Sequence, residues 1–237
     1  MKRLLALALI LLLLLPAAWA ENADVDAYFE DAAFIGDSMM GQIGRYRREQ
    51  NQQGNEIFPG AKVLYSGAYS LYLGSQRSAL DNSPAMVYRG QRLSLPEAVY
   101  QLDVSKVFIM LGRCDNPGVP EHLDRLMRYW TRIFDRIREK RPDIEIIAIS
   151  VPPLAEKYET KTTRQLYFDN FNRALEALCA EMDVVYCDIA TPLKTADGYL
   201  NQKNAKTDGV HFSEAGVIAF IDAMYDFARS QVAKPSE

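Results

Sequence analysis

Five short apolar runs punctuate this chain, and amphipathic stretches separate most of them. The runs are Ala32 to Ile35, Val63 to Tyr65, Lys106 to Leu111 (KVFIML), Ile144 to Ile149 (IEIIAI) and Val184 to Cys187. Gly36, Gly67 and Gly112 bound the first three, Ser150 and the pair Pro152-Pro153 end the fourth, and Asp188 ends the fifth. Runs this short and this apolar fit strands buried on both faces. Between them, His122 to Lys140 places Leu123, Leu126, Met127, Trp130, Ile133, Phe134 and Ile137 at spacings of three and four, the period of a helix with one buried face. Arg164 to Met182 repeats the pattern with Leu166, Phe171, Leu175, Leu178 and Met182. Ser213 to Ala228 predicts a last helix, with Ser213 as its cap and Glu214 facing the helix dipole. Strand alternating with helix predicts an α/β fold, a parallel sheet covered on both sides. The expected architecture is a three-layer, flavodoxin-like sandwich around a five-stranded, mainly parallel sheet.

Residues 68–103 interrupt this rhythm. They hold Tyr69, Tyr72, Tyr88 and Tyr100, and Ser94-Leu95-Pro96-Glu97 reads as a helix start. A long insertion after the second strand can wall a pocket, although packing over the surface is the commoner use. No linker or repeat divides the chain, so residues 21–237 are expected to form one domain, with its core from about Asp24 to Val232.

The first twenty residues have a different pattern. Lys2 and Arg3 precede an unbroken apolar run from Leu4 to Leu15, then Pro16, then Ala18-Trp19-Ala20. This is the pattern of a secretory signal peptide over residues 1–20. The run is short for a membrane span, which needs ~20 residues. The expected location is therefore outside the cytoplasm: secreted, periplasmic or in the cell envelope, with no stable membrane association after cleavage. A formal charge of −4 gives no electrostatic reason to expect nucleic acid as a partner. The three cysteines, Cys114, Cys179 and Cys187, leave at least one thiol unpaired within a monomer, and their spacing resembles no zinc site. Cys179 and Cys187 can be read either as a pair or as two buried thiols.

In open α/β sheets, ligands gather beyond the carboxyl ends of the strands. Ser38, Gly67, the turn from Gly112 to Asn116 and the loop before the last helix should meet there. Ser38 in Phe34-Ile35-Gly36-Asp37-Ser38 follows the first strand and lies near a helix N-terminus, so it is either a cap or a nucleophile. A serine nucleophile needs a base, and the chain has two histidines, His122 and His211. His122 opens a polar-faced helix and is expected at the surface. His211 lies in Thr-Asp-Gly-Val-His-Phe-Ser, three residues after Asp208, close enough for that carboxylate to hold the imidazole Nδ1–H.

These two blocks resemble the SGNH (GDSL) hydrolases, in which the first block carries the nucleophile and the last carries the acid and base. The resemblance implies the SGNH hydrolase fold, ester hydrolysis or acyl transfer, and a catalytic triad of Ser38, His211 and Asp208. It also implies an oxyanion hole formed by the backbone N–H groups of Ser38 and Gly67 and by an asparagine after the third strand. Here the chain departs from the family: Leu111-Gly112-Arg113-Cys114-Asp115-Asn116 has Cys114 where the asparagine is expected. A thiol is a weak donor. Asn116 or Arg113 could substitute, the hole could work with two donors, or the site could bind without catalysing. No cofactor and no metal are expected, since a serine triad needs neither. The expected substrate is a small-molecule or glycan ester, with an acylated carbohydrate first and lipid esters second. The rival readings are a non-catalytic glycan-binding or envelope-assembly protein and an acyltransferase that shares the acyl-enzyme.

Overall fold

The computed structural model describes residues 24–115, 117 and 120–233. The expected signal segment and Asn116 lie outside the described residues. The five apolar runs become β1 (Ala32–Gly36), β2 (Lys62–Tyr65), β5 (Lys106–Met110), β6 (Glu145–Ile149) and β7 (Val185–Cys187), once the hairpin strands β3 (Met86–Tyr88) and β4 (Gln91–Leu93) are numbered between them. The five form one sheet in the order β2-β1-β5-β6-β7, and every pairing is parallel. The chain starts in the middle, steps outward once, then crosses back and proceeds to the other edge. β1 and β5 are therefore neighbours, and both their carboxyl ends open onto one crevice, the place where a doubly wound sheet takes its ligand.

Each face of the sheet carries its own apolar core. On one side the helices Leu95–Leu102, Leu123–Lys140 and Gln165–Glu181 pack Val99, Trp130, Ile133, Phe134, Phe171 and Leu175 against Val107, Ile109 and Ala148. On the other, the helices Ser38–Gln52 and Glu214–Val232 pack Met40, Ile43, Phe220 and Met224 against Phe34, Phe108 and Ile147. Phe34 and Phe108 stack at 4.6 Å between adjacent strands at the centre of this second core. Alternate residues of β1 and β5 thus serve opposite faces, which is why both strands are apolar without interruption.

The predicted helices form with shifts of one residue at the first two N-termini, and the last runs on to Val232. Ser213 caps the last one, its hydroxyl accepting from Gly216 N–H. In the 68–103 insertion, Ser94 and Glu97 close a reciprocal capping box on the helix Leu95–Leu102, with Pro96 in its first turn. The same segment holds the short helix Leu71–Gly74 and the β3–β4 hairpin, neither of which has a strong apolar period. Cys179 and Cys187 are both buried and free, the Cys187 thiol lying 3.7 Å from the Met224 sulfur. No helix among the described residues is long and apolar enough to cross a membrane.

Candidate active site

β1 hands the chain directly to the helix Ser38–Gln52 through Asp37. The handover is tight. A Cβ on Gly36 would stand 2.7 Å from the Met40 Cβ and 2.8 Å from the Met110 carbonyl oxygen, so only glycine lets the helix sit this close to β5. The cap of this helix is Asp37 and not Ser38: the Asp37 Oδ1 accepts from Met39 N–H at 2.9 Å. Ser38 is the first helical residue and leaves its hydroxyl free for another partner.

That partner is His211. Its Nε2 lies 2.9 Å from Ser38 Oγ, across 173 positions of sequence. Its Nδ1 lies 2.9 Å from Asp208 Oδ2. With the Nδ1–H donated to the carboxylate, Nε2 is bare and accepts the serine proton. Asp208 is itself fixed, because its Oδ1 accepts from the backbone N–H groups of Val210 and His211, each at 2.9 Å. These bonds, the His211 N–H first, hold the Asp208 carboxyl down at about 2. The carboxylate therefore stays ionised beside the imidazole.

The loop that carries Asp208 and His211 has no helix or strand of its own and is tied from three directions. Gln42 sits one turn below Ser38 on the same helix face. Its Nε2 donates to the Phe212 carbonyl at 2.9 Å and its Oε1 accepts from Phe212 N–H at 3.1 Å. Both bonds are buried. Arg113 Nη2 donates to the Gly209 carbonyl at 2.9 Å while its guanidinium stacks on Phe168. The Tyr158 hydroxyl donates to the Lys206 carbonyl at 2.9 Å, and its ring lies flush under Gly209. Gly209 has φ +71, and a Cβ there would clash with the Tyr158 ring, closest to its Cγ. Glycine is needed at this position for both reasons.

The third wall is the turn after β5. The Cys114 thiol donates to Asp37 Oδ2 at 3.4 Å. Desolvation and the Asp37 carboxylate push this thiol up to about 12, which favours the protonated thiol over the nucleophilic thiolate. Burial drives Asp37 itself upward. Next to it, Asp115 Oδ2 accepts from Leu71 N–H at 2.8 Å and so braces the loop after β2. Burial raises Asp115 to about 6, against the backbone N–H bonds of Leu71 and Tyr72. Arg113 commits its Nη2 to the Gly209 carbonyl. Gly67 is exposed, and a Cβ on it would meet nothing within 4 Å, so the space above its backbone is open. His122 is half-buried, not at the open surface expected of it, and its Nδ1 is shielded without a partner.

A cleft of about 410 Å³ opens between these parts, with Arg113, Cys114, Leu154, Phe168, Asp208 and Val210 among its lining residues. A cleft of about 450 Å³ elsewhere, walled by Pro192 and Ile218, contains none of the triad residues, so size alone does not mark the site. Among the described residues no group of three or more His, Cys, Asp or Glu side chains could hold a metal ion. Sequence reasoning missed Gln42, Arg113 as a loop tie, and Tyr158. The one available signal was the placement of Gln42 four residues after Ser38.

A family model for the GDSL-like Lipase/Acylhydrolase family matches residues 34–217. Comparison with curated proteins finds no match. Among solved structures, the chain is similar to a GDSL-like lipase from Bacteroides thetaiotaomicron, at 14% identity over 86% of this chain and 87% of that one, with a TM-score of 0.59. It is similar to a carbohydrate esterase family 3 protein from Talaromyces cellulolyticus, at 14% identity over 86% and 99%, with a TM-score of 0.55. It is also similar to an acetyl xylan esterase, at 12% identity over 83% and 98%, with a TM-score of 0.59. These likenesses are of fold. With the match over residues 34–217, the chain belongs to the GDSL-like lipase/acylhydrolase family, the SGNH hydrolases, and is a serine ester hydrolase.

Proposed function

We propose that this protein is an exported esterase that removes short acyl groups from carbohydrate through Ser38, His211 and Asp208. The observation that carries the reading is the unbroken line from Ser38 Oγ to His211 Nε2 and from His211 Nδ1 to Asp208 Oδ2, each step 2.9 Å. Ser38 Oγ attacks the ester carbonyl while His211 takes its proton, and Asp208 stabilises the imidazolium. The tetrahedral oxyanion is held by backbone N–H groups. Ser38 N–H belongs to the first turn of its helix, where no carbonyl lies four residues back to accept it. Gly67 N–H would supply the second donor from the open side. His211 then returns the proton to the leaving alcohol, and water repeats the sequence to release the acid.

The thiol of Cys114 donates to Asp37, which supports a hole built on the two backbone donors, Ser38 N–H and Gly67 N–H. Export is supported by the pattern of residues 1–20. A glycan substrate is supported by that location and by neighbours of the same fold named as carbohydrate and acetyl xylan esterases. A serine-reactive fluorophosphonate probe tests the nucleophile. Wild type should be labelled and Ser38→Ala should not; labelling that persists in Ser38→Ala would refute the assignment. Acetate release from a panel of acetylated glycans then tests the substrate class.

A further inference from the structure

The helix Leu123–Lys140 carries arginines at 125, 128, 132 and 136, spacings of three and four that put all four on one face. Its opposite face is buried through Leu126, Trp130, Ile133, Phe134 and Ile137. Arg125, Arg128 and Arg132 are exposed and Arg136 is half-buried. At 1.5 Å rise per residue the stripe is about 16 Å long. Among the described residues none of the four makes an ion pair or donates a hydrogen bond; Arg132 lies 5.9 Å over the Tyr129 ring. Asp124 and Asp135 border one edge without pairing, and Glu139 at the foot is taken by Arg77 at 2.8 Å. Arg136 Nη1 is shielded from water with no partner. Burial, then Arg77 and Arg132, lower its affinity for its proton, against the opposing Glu139 carboxylate.

Three successive like-charge pairs work against an isolated helix. Arginine in place of glutamine or alanine at such positions costs local stability without an internal partner, and conflicts of this kind mark function. The guanidinium fork also matches carboxylate and phosphate oxygens two at a time. The first arginine of the stripe lies near the turn after β5. Arg125 acts on Asp115, whose carboxylate braces Leu71, and the exposed Tyr72 meets Tyr129 at 5.7 Å. A membrane surface would call for large apolar side chains on the same face. None of the exposed large apolar residues lies on this helix.

We propose that the arginine stripe binds an acidic polysaccharide, a chain bearing regularly spaced anionic groups, and delivers its acyl esters to Ser38. The delivery half rests on the esterase reading above; the binding half does not. The test compares wild type, Ser38→Ala and the variant Arg125→Gln/Arg128→Gln/Arg132→Gln/Arg136→Gln. The substrates are acetylated polygalacturonate, acetylated xylan and p-nitrophenyl acetate. In the fourfold variant KM for the acidic polymer should rise on the order of tenfold, with kcat unchanged and the two uncharged substrates unaffected. Wild-type KM for the acidic polymer should climb with salt, and the variant's should not. Equal KM values in wild type and variant would overturn the proposal. Binding of unacetylated polygalacturonate, measured by affinity electrophoresis, needs no catalysis. It should survive Ser38→Ala and disappear in the fourfold variant. Polymer binding with no ester turnover in wild type would sink the esterase reading and leave the binding surface standing. Turnover without polymer binding, or stripe-dependent binding to phosphatidylglycerol vesicles in place of the polymer, would sink the stripe. Removing like charges should leave Tm no lower, which guards against misfolding; Arg128→Gln alone should give a smaller shift in the same direction.

Discussion

The two halves of the proposed triad are held in place by different means. Ser38 is positioned by regular structure: the end of a central strand, a glycine packed against β5, a buried aspartate cap and the first turn of a fifteen-residue helix. His211 and Asp208 sit in a loop without strand or helix, positioned by side chains reaching from Gln42, Arg113 and Tyr158. The first arrangement is rigid because backbone hydrogen bonds and packing over-determine it. The second is rigid because three distant elements each fix one peptide group. The nucleophile built the first way depends on backbone packing, with Gly36 its tightest point, while the base built the second way depends on side-chain ties.

The sharpest break of this comparison removes the base itself. His211→Ala should lower kcat by roughly 10⁶-fold, as losing a triad base does elsewhere. His122→Ala should change kcat by no more than a few-fold, and equal losses in the two variants would contradict the assignment. Next comes the tie from the serine's own helix. Gln42→Met keeps the volume and deletes both bonds to Phe212, leaving its N–H and C=O unpaired at ~1–3 kcal/mol per group. We expect kcat to fall roughly 10- to 100-fold with KM unchanged, since small misplacements of a catalytic group have costs of that order. A drop in Tm with kcat intact per fluorophosphonate-titrated site would show that Gln42 serves stability alone.

Changes on the serine side should act more gently. Cys114→Asn exchanges a weak donor engaged with Asp37 for a strong one, and should raise kcat about tenfold, less than the ~10²–10³ that a fully aligned hole donor is worth. An unchanged or lower rate would mean that Asp37 needs the thiol. The smallest effect is on stability. The Asp115 carboxyl is raised to about 6 in the fold, so the unfolded chain loses this proton first as pH rises. Stability from this group is greatest below the unfolded value near 3.9 and falls until pH passes about 6. Asp115→Asn should flatten that fall in urea titrations between pH 4 and 6; an unaltered slope would exclude Asp115 as its source.

The same contrast explains how much was legible in the sequence. Central strands announce themselves because both faces are buried, and all five apolar runs became strands of the sheet. Ser38 and the Asp208–His211 spacing were legible because a serine nucleophile needs a base, and a histidine base needs an orienting acid. The short helix Leu71–Gly74 and the β3–β4 hairpin were not, because each is too short for its apolar period to stand out. The ties were least visible. Gln42 meets Phe212 across 170 positions, and Tyr158 meets Lys206 across 48. No local pattern encodes such contacts, and a glutamine in a helix reads simply as a good helix former. Cys114 could be seen as a departure from the family, but its turn toward Asp37 depends on the fold.

The most direct test is hydrolysis of p-nitrophenyl acetate by the wild-type protein and by Ser38→Ala, side by side. The account predicts steady turnover by wild type that falls to the uncatalysed background in the variant. Equal turnover in both, or none in either, would contradict the central claim that Ser38 is the nucleophile of a working esterase.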